Sequence, residues 1–168
     1  MLNHESGSFH LQVKSRLAVE ENGGRVYGLV NTRSDAISKQ CTPFEDWHLA
    51  MFKVTLGLLA KAEEGYVAHT DVVHAFKDAG KKAADIQTVL NRLVENEWLA
   101  AHPSDDNFFT VGRRTMLELS DTMRDLGAGE CPVSKMTVVR TSNYLEWLDE
   151  RQGGSTTTTP AKAAEEED

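Results

Sequence analysis

The hydrophobic positions change period along the chain, and those changes divide it into elements. Phe9, Leu11 and Val13 alternate with His10, Gln12 and Lys14, the two-residue period of a strand with one buried face. The alternation weakens over 15–19. Glu20-Glu21-Asn22-Gly23-Gly24 then forms a turn, where Asn-Gly supplies the positive φ angles of a tight hairpin. Val26, Tyr27, Leu29 and Val30 return as a second strand ending at Asn31. A lone hairpin is marginal in water, so either the following domain or another chain is expected to cover it.

After a polar connector over 32–40, a helix start is expected at Thr42. Thr42 suits the N-cap, Pro43 the first helical position, and Glu45 stands three residues on, as in a capping box. Trp47, Met51, Phe52, Val54, Leu58 and Leu59 carry that helix to about Glu63. Gly57 inside it suggests a close helix crossing, and Gly65 is placed to end the run.

The stretch 65–111 is the most informative. It predicts a short strand at Tyr66-Val67, a helix from Thr70-Asp71, and a turn at Gly80-Lys81-Lys82. A second helix follows from Ala83 to Asn96, in which Ile86, Val89, Leu90, Leu93 and Val94 make one continuous stripe. Strands Trp98–His102 and Phe108–Val111 flank a polar turn over 103–107. Helix, turn, helix and two-stranded ribbon is the order of a winged helix. The expected class is therefore α+β, mainly helical. A helix from Arg113 to about Leu126 is expected next, ended by Gly127-Ala128-Gly129. An irregular segment follows, with a weak strand over 136–139 and a helical turn over 144–148. From Gln152 the chain turns Thr-rich and then acidic, too poor in large apolar residues to offset the cost of ordering, and is read as a disordered tail. The expected divisions are 1–40, 41–127, 128–151 and 152–168.

Composition narrows the function. Among 168 residues, 26 acidic against 18 basic give a net charge of −8, a field that opposes stand-alone binding to duplex DNA. No apolar run reaches the roughly 18 residues of a membrane span. Two cysteines, Cys41 and Cys131, make no disulfide framework and fit a reducing compartment.

Catalytic patterns are sparse. His69 and His74 are five apart, which a helix does not stack, and no phosphate-cradling glycine loop or nucleophile elbow is present. No catalytic residue and no metal ligand set is assigned. The outer face of the 83–96 helix offers Arg92, with Lys81 and Lys82 in the preceding turn, as candidates for weak contact with DNA phosphates. The acidic wing tip at Asp105 and Asp106 opposes that contact.

The residues also resemble a known family. Arg25-Val26-Tyr27-Gly28-Leu29-Val30-Asn31, then Ile37-Ser38-Lys39 and the 42–65 helix, are similar to the non-SMC element 1 family. So are the blocks over 89–99 and 109–114, and the similarity runs from about Phe9 to Leu126. The resemblance implies tandem winged helices followed by a zinc-binding RING domain with ubiquitin-ligase activity. It further implies a subunit of the structural-maintenance-of-chromosomes five/six complex, in the nucleus on chromosomes. Such a subunit pairs with a MAGE-type protein, docks on a kleisin, contributes to duplex DNA binding, and serves repair by homologous recombination.

Two departures qualify that expectation. Phe9–Asn31 matches only the wing of a first winged helix. At the RING position, Cys131-Pro132-Val133-Ser134 has a serine where a second ligand belongs, and no histidine follows His102. Eight ligands for two zinc ions cannot be assembled from these residues. The expected role is thus a non-catalytic interaction subunit without a cofactor. Val26, Tyr27, Leu29, Trp47 and Phe52 are its candidate contact residues, aromatic and apolar anchors of the kind that dominate interfaces. The alternatives are a stand-alone winged-helix DNA-binding regulator and a RING-type ubiquitin ligase whose RING is missing only from the gene model.

Overall fold

The structure, a computed structural model, describes residues 11–19, 23–31 and 44–153. The expectations for Phe9, the Glu20–Asn22 part of the first turn, the 32–40 connector, Cys41, Thr42, Pro43 and the tail from Gly154 lie outside the described residues.

Strands β1 (Leu11–Ala18) and β2 (Gly24–Asn31) form an antiparallel hairpin in which Val13 lies opposite Leu29 and Arg16 opposite Val26. Helix α1 (Asp46–Lys61) follows, then β3 (Val67–Ala68), α2 (His69–Ala75), a single 3-10 turn at Lys77–Ala79, and α3 (Ala83–Glu95). Strands β4 (Leu99–His102) and β5 (Asp105–Val111) make the ribbon, and β5 also pairs with β3, giving the sheet order β3-β5-β4. Helices, ribbon and small third strand thus appear in the order expected of a winged helix, within an α+β fold.

One apolar core holds this unit together. Met51, Leu59, Val72, Ile86, Leu90 and Met123 are fully enclosed, and Phe109 and Val111 close it from the sheet. The stripe expected on α3 is the buried one: Ile86, Val89, Leu90 and Leu93 all enter this core. Gly112 shows how tightly the wing returns. A Cβ there would fall against the Glu97 carbonyl, and the Gly112 N–H donates to the Trp98 carbonyl at 3.0 Å.

Several expectations are corrected. Helix α1 starts at Asp46, not at Thr42, because the extended Glu45 and His48 cap it reciprocally, with Phe44 buried just before them. Gly57 marks no helix crossing, since nothing lies within 4 Å of where its Cβ would be. The wing turn is tighter than drawn: β5 begins at Asp105, whose carboxylate accepts the Asn107 N–H at 2.9 Å. The expected 113–126 helix is broken into α4 (Arg113–Glu118) and α5 (Ser120–Asp125), with Leu119 at φ −117° and ψ 20°. Ser120 and Asp121 are residues that compete with a helix interior and favour a helix start.

The segment over 128–151 is more regular than expected: the weak strand over 136–139 and the helical turn over 144–148 are both present, the second as part of a longer helix. Strands β6 (Gly129–Glu130) and β7 (Thr137–Val138) pair, and Thr141 caps α6 (Ser142–Gln152) by accepting the Tyr144 N–H at 3.3 Å. Val138, Tyr144, Trp147 and Cys131 gather with Val19 of the hairpin into a second apolar cluster. This cluster, with α4 packed across both strands of the hairpin, supplies the cover the hairpin needs.

Candidate functional site

The hairpin register decides which candidates can meet a partner. Side chains alternate across a strand, so Val26, Gly28 and Val30 share a face with Arg16 and Ala18, and that face is covered. Leu117 sits against Gly28, where a Cβ would collide with it. Val26 is half-buried and lines a gap beside Val111, Gly112 and Met116, so it serves the interior.

Tyr27 and Leu29 point the other way, 68% and 63% exposed. Beside them on β1, Val13 is 68% and Leu11 49% exposed. The expectation that Leu11 and Val13 belong to a buried face is therefore overturned: α4 covers the opposite face. Leu11, Val13, Tyr27 and Leu29 together make a continuous outward apolar stripe, held by the Val13–Leu29 cross-strand pair. Sequence reasoning missed Leu11 and Val13 as surface residues. What decides it is the packing of α4 on the Gly28 side, which the alternation within the hairpin does not encode.

Trp47 and Phe52 part company in the same way. Phe52 is buried, with its ring 5.8 Å from that of Trp98 in an edge-to-face arrangement, so it belongs to the core and not to a contact surface. Trp47 is half-buried and joins a polar–aromatic cluster. Its indole N–H donates to Glu45 at 3.0 Å, its ring lies 4.1 Å from His48, and the Lys81 ammonium stands 4.5 Å over it. The Arg92 guanidinium stands 5.4 Å over Phe44, whose ring meets His48 edge-on.

The structure thus joins two candidate sets that the sequence kept apart. Lys81 and Arg92 are engaged with Trp47 and Phe44 in cation–π contacts. Lys82 is exposed at the start of α3. Burial lowers the pKa of His48, as do the charges of Arg92 and Lys81, against an opposing pull from Glu45.

The residues at the expected RING position do not fit a zinc ion. Cys131 is fully buried among Tyr144, Trp147 and Val138, and the Ser134 N–H donates to its sulfur at 3.4 Å. Burial raises the thiol, but hydrogen bonds from Ser134, Tyr144 and the Val133 backbone outweigh it and hold the thiol below its ordinary value. Among the described residues, no three His, Cys, Asp or Glu side chains converge as a metal would require.

These observations define an α+β protein of winged-helix element order with an apolar outward hairpin face and, among the described residues, no metal-binding cluster. Comparison with known proteins makes this more specific. The chain is 28% identical over 127 residues to the human protein named "Non-structural maintenance of chromosomes element 1 homolog", a match covering 74% of this chain and 46% of that protein. The rat protein of the same name is 26% identical over the same span, and the Xenopus laevis one 22% identical over 109 residues. The match therefore spans about half the length of these relatives. A chain of the solved "Nse1-Nse3-Nse4 complex" superposes with a TM-score of 0.73 at 17% identity, covering 90% of this chain and 70% of that one. No family model matches the sequence. The resemblance to the non-SMC element 1 family carried by the sequence blocks is borne out by these relatives, and the fold by the solved chain.

Proposed function

We propose that this chain is a non-catalytic interaction subunit resembling non-SMC element 1, which pairs with a MAGE-type protein and a kleisin in the SMC five/six complex. In that reading it acts in the nucleus, on chromosomes, in DNA repair by homologous recombination. The names of the relatives and of the structurally similar assembly support the complex in general terms. The observation that carries the reading is the outward face of the hairpin. Four apolar side chains from two paired strands are left in water, although the chain covers the other face of the same hairpin. Burying such a face recovers roughly 25 cal/mol for each Å² of apolar surface removed from water.

Tyr27 and Leu29 are assigned as contact residues, with Leu11 and Val13 added to them. Trp47 carries the rim, braced by Lys81. Engagement of Lys81 and Arg92 with aromatic rings, together with the acidic Asp105 and Asp106 of the wing, favours a protein partner over a duplex.

The test is co-expression with a MAGE-type protein. The wild-type chain is expected to co-purify, and a Val13→Asp/Leu29→Asp variant with unchanged melting is expected not to. Full retention by that folded variant would refute the hairpin assignment. Loss of the partner from a Lys81→Ala/Lys82→Ala variant, with binding by the hairpin variant intact, would move the contact to the α3 side.

A further inference from the structure

A cavity of about 440 Å³ opens on the covered side of the hairpin, between β1, the α4–α5 pair and the strand β7. Four cationic side chains line it, Lys14, Arg16, Arg124 and Lys135, and no aspartate or glutamate does among its described lining residues. In a chain of net charge −8, this concentration of positive charge is a local reversal of the overall field.

One of the cations is built into the wall, while Arg124 and Lys135 are exposed. Arg16 is buried, and its guanidinium donates to the Thr137 carbonyl at 3.4 Å. The Arg124 guanidinium donates to the Thr137 hydroxyl at 3.2 Å, so two positive groups are fixed on one residue from two elements. Asp121 pairs with Arg124 at 3.3 Å, but it is 83% exposed and lies outside the lining. Lys135 is held at φ 59°, a left-handed conformation uncommon for a lysine, by its N–H donating to the Cys131 carbonyl at 2.9 Å. An anion seated among these donors is attracted by each of them.

The chemistry of the anion follows from the donors. Two guanidiniums and two ammoniums, with Ser120 beside them in the lining, suit the tetrahedral oxygens of a phosphate. The volume matches a small group, since ligand pockets begin at about 300 Å³. A duplex backbone is a convex ridge, which a recess of this size does not admit. We propose that this cavity binds a phosphate monoester, presented either by a phosphorylated serine or threonine side chain or as a free small phosphate. A phosphorylated side chain carries about −1.5 to −2 charges at neutral pH, enough to counter much of the cluster.

The test is a titration of the isotope-labelled full chain followed by amide chemical shifts. The probes are N-acetyl-phosphoserine amide, its unphosphorylated form, inorganic phosphate and a short DNA duplex. Saturable shifts at Ser15, Arg16, Met136 and Thr137 are expected with the phosphoserine probe and not with its unphosphorylated form. A Lys14→Ala/Lys135→Ala variant, which leaves buried Arg16 in place, is expected to weaken binding by roughly tenfold or more, the scale of hydrogen bonds to a charged group. A Lys81→Ala/Lys82→Ala variant is expected to bind as the wild type does. Equal affinity for inorganic phosphate would assign the site to a free phosphate, and preference for the phosphoserine probe to a modified side chain. No saturation with either phosphate probe, an equal loss in the Lys81/Lys82 variant, or stronger competition by the duplex would overturn the proposal.

Discussion

The main-chain N–H of Glu45 donates to Nδ1 of His48 at 3.0 Å, while the Glu45 carboxylate accepts the His48 main-chain N–H, so the two residues close the start of α1 between them. Nδ1 must hold a lone pair to accept, which requires a neutral ring. Burial and the nearby charges of Arg92 and Lys81 also lower the His48 pKa. The unfolded chain then binds the proton more readily than the folded one. This contribution to stability is complete above the ordinary imidazole value, about 6.5, and is lost as pH falls from there through the lower folded value. Melting measured between about pH 7.5 and 5.5 is expected to show that loss. A His48→Ala variant is expected to be less stable by about 1 kcal/mol at neutral pH, with a flatter profile. Equal slopes for both proteins would remove His48 as the source.

Tyr27 is a contact candidate in the sequence and Phe52 one near the boundary between core and interface, and the structure sets them on opposite sides of a stability experiment. Phe52 is buried against Trp98, so Phe52→Ala is expected to cost about 3 kcal/mol or more through lost packing and a cavity. Tyr27 is mostly exposed, so Tyr27→Ala is expected to stay within about 0.5 kcal/mol. Urea unfolding of both variants checks this. A large loss at Tyr27 would mean that the outward hairpin face is covered within the chain.

The contrast marks what could be read in advance. The 3.6-residue stripe of α3 and the turn chemistry around the wing are local signals, and they located Ile86, Leu90 and the β4–β5 ribbon, though with too long a turn. Which face of the hairpin is covered depends on α4, contributed by residues more than 80 positions further along. The pairing of Trp47 with Lys81 depends on how α1 meets the turn before α3. Such facts are tertiary, and no periodicity in one segment encodes them. The break at Leu119 was written in Ser120-Asp121, but the flanking Met116 and Met123 masked it.

Two glycines separate conformational need from coincidence. Gly65 sits at φ +73°, and a Cβ on it would come within 2.8 Å of the Arg140 carbonyl carbon and the Thr141 nitrogen. Gly65→Ala is expected to destabilise by about 2 kcal/mol or more, since both the backbone angle and a backbone neighbour oppose it. Gly57 lies inside α1 with open space around its Cβ direction. Gly57→Ala is expected to stabilise by roughly 1 kcal/mol through helix propensity alone. Denaturant midpoints for the pair provide the check, and a destabilising Gly57→Ala would reveal a neighbour that this geometry lacks.

Trp147 ties the hairpin to the C-terminal segment. Its indole lies so close to Gly23 that a Cβ there would overlap the ring, and Trp147 anchors the cluster with Val19, Tyr144 and Val138. The main core shares none of these residues. Removing the indole should therefore loosen one unit and spare the other. Trp147→Ala is expected to cost about 3 kcal/mol locally, the scale for truncating a buried aromatic side chain. In hydrogen exchange, amides of β1, β2 and α6 are expected to lose protection, while those of α1 and α3 keep theirs, because opening occurs in cooperative subunits. Uniform loss across α1 and α3 as well would mean that the two clusters unfold together, and the hairpin face could not then be altered independently of the core.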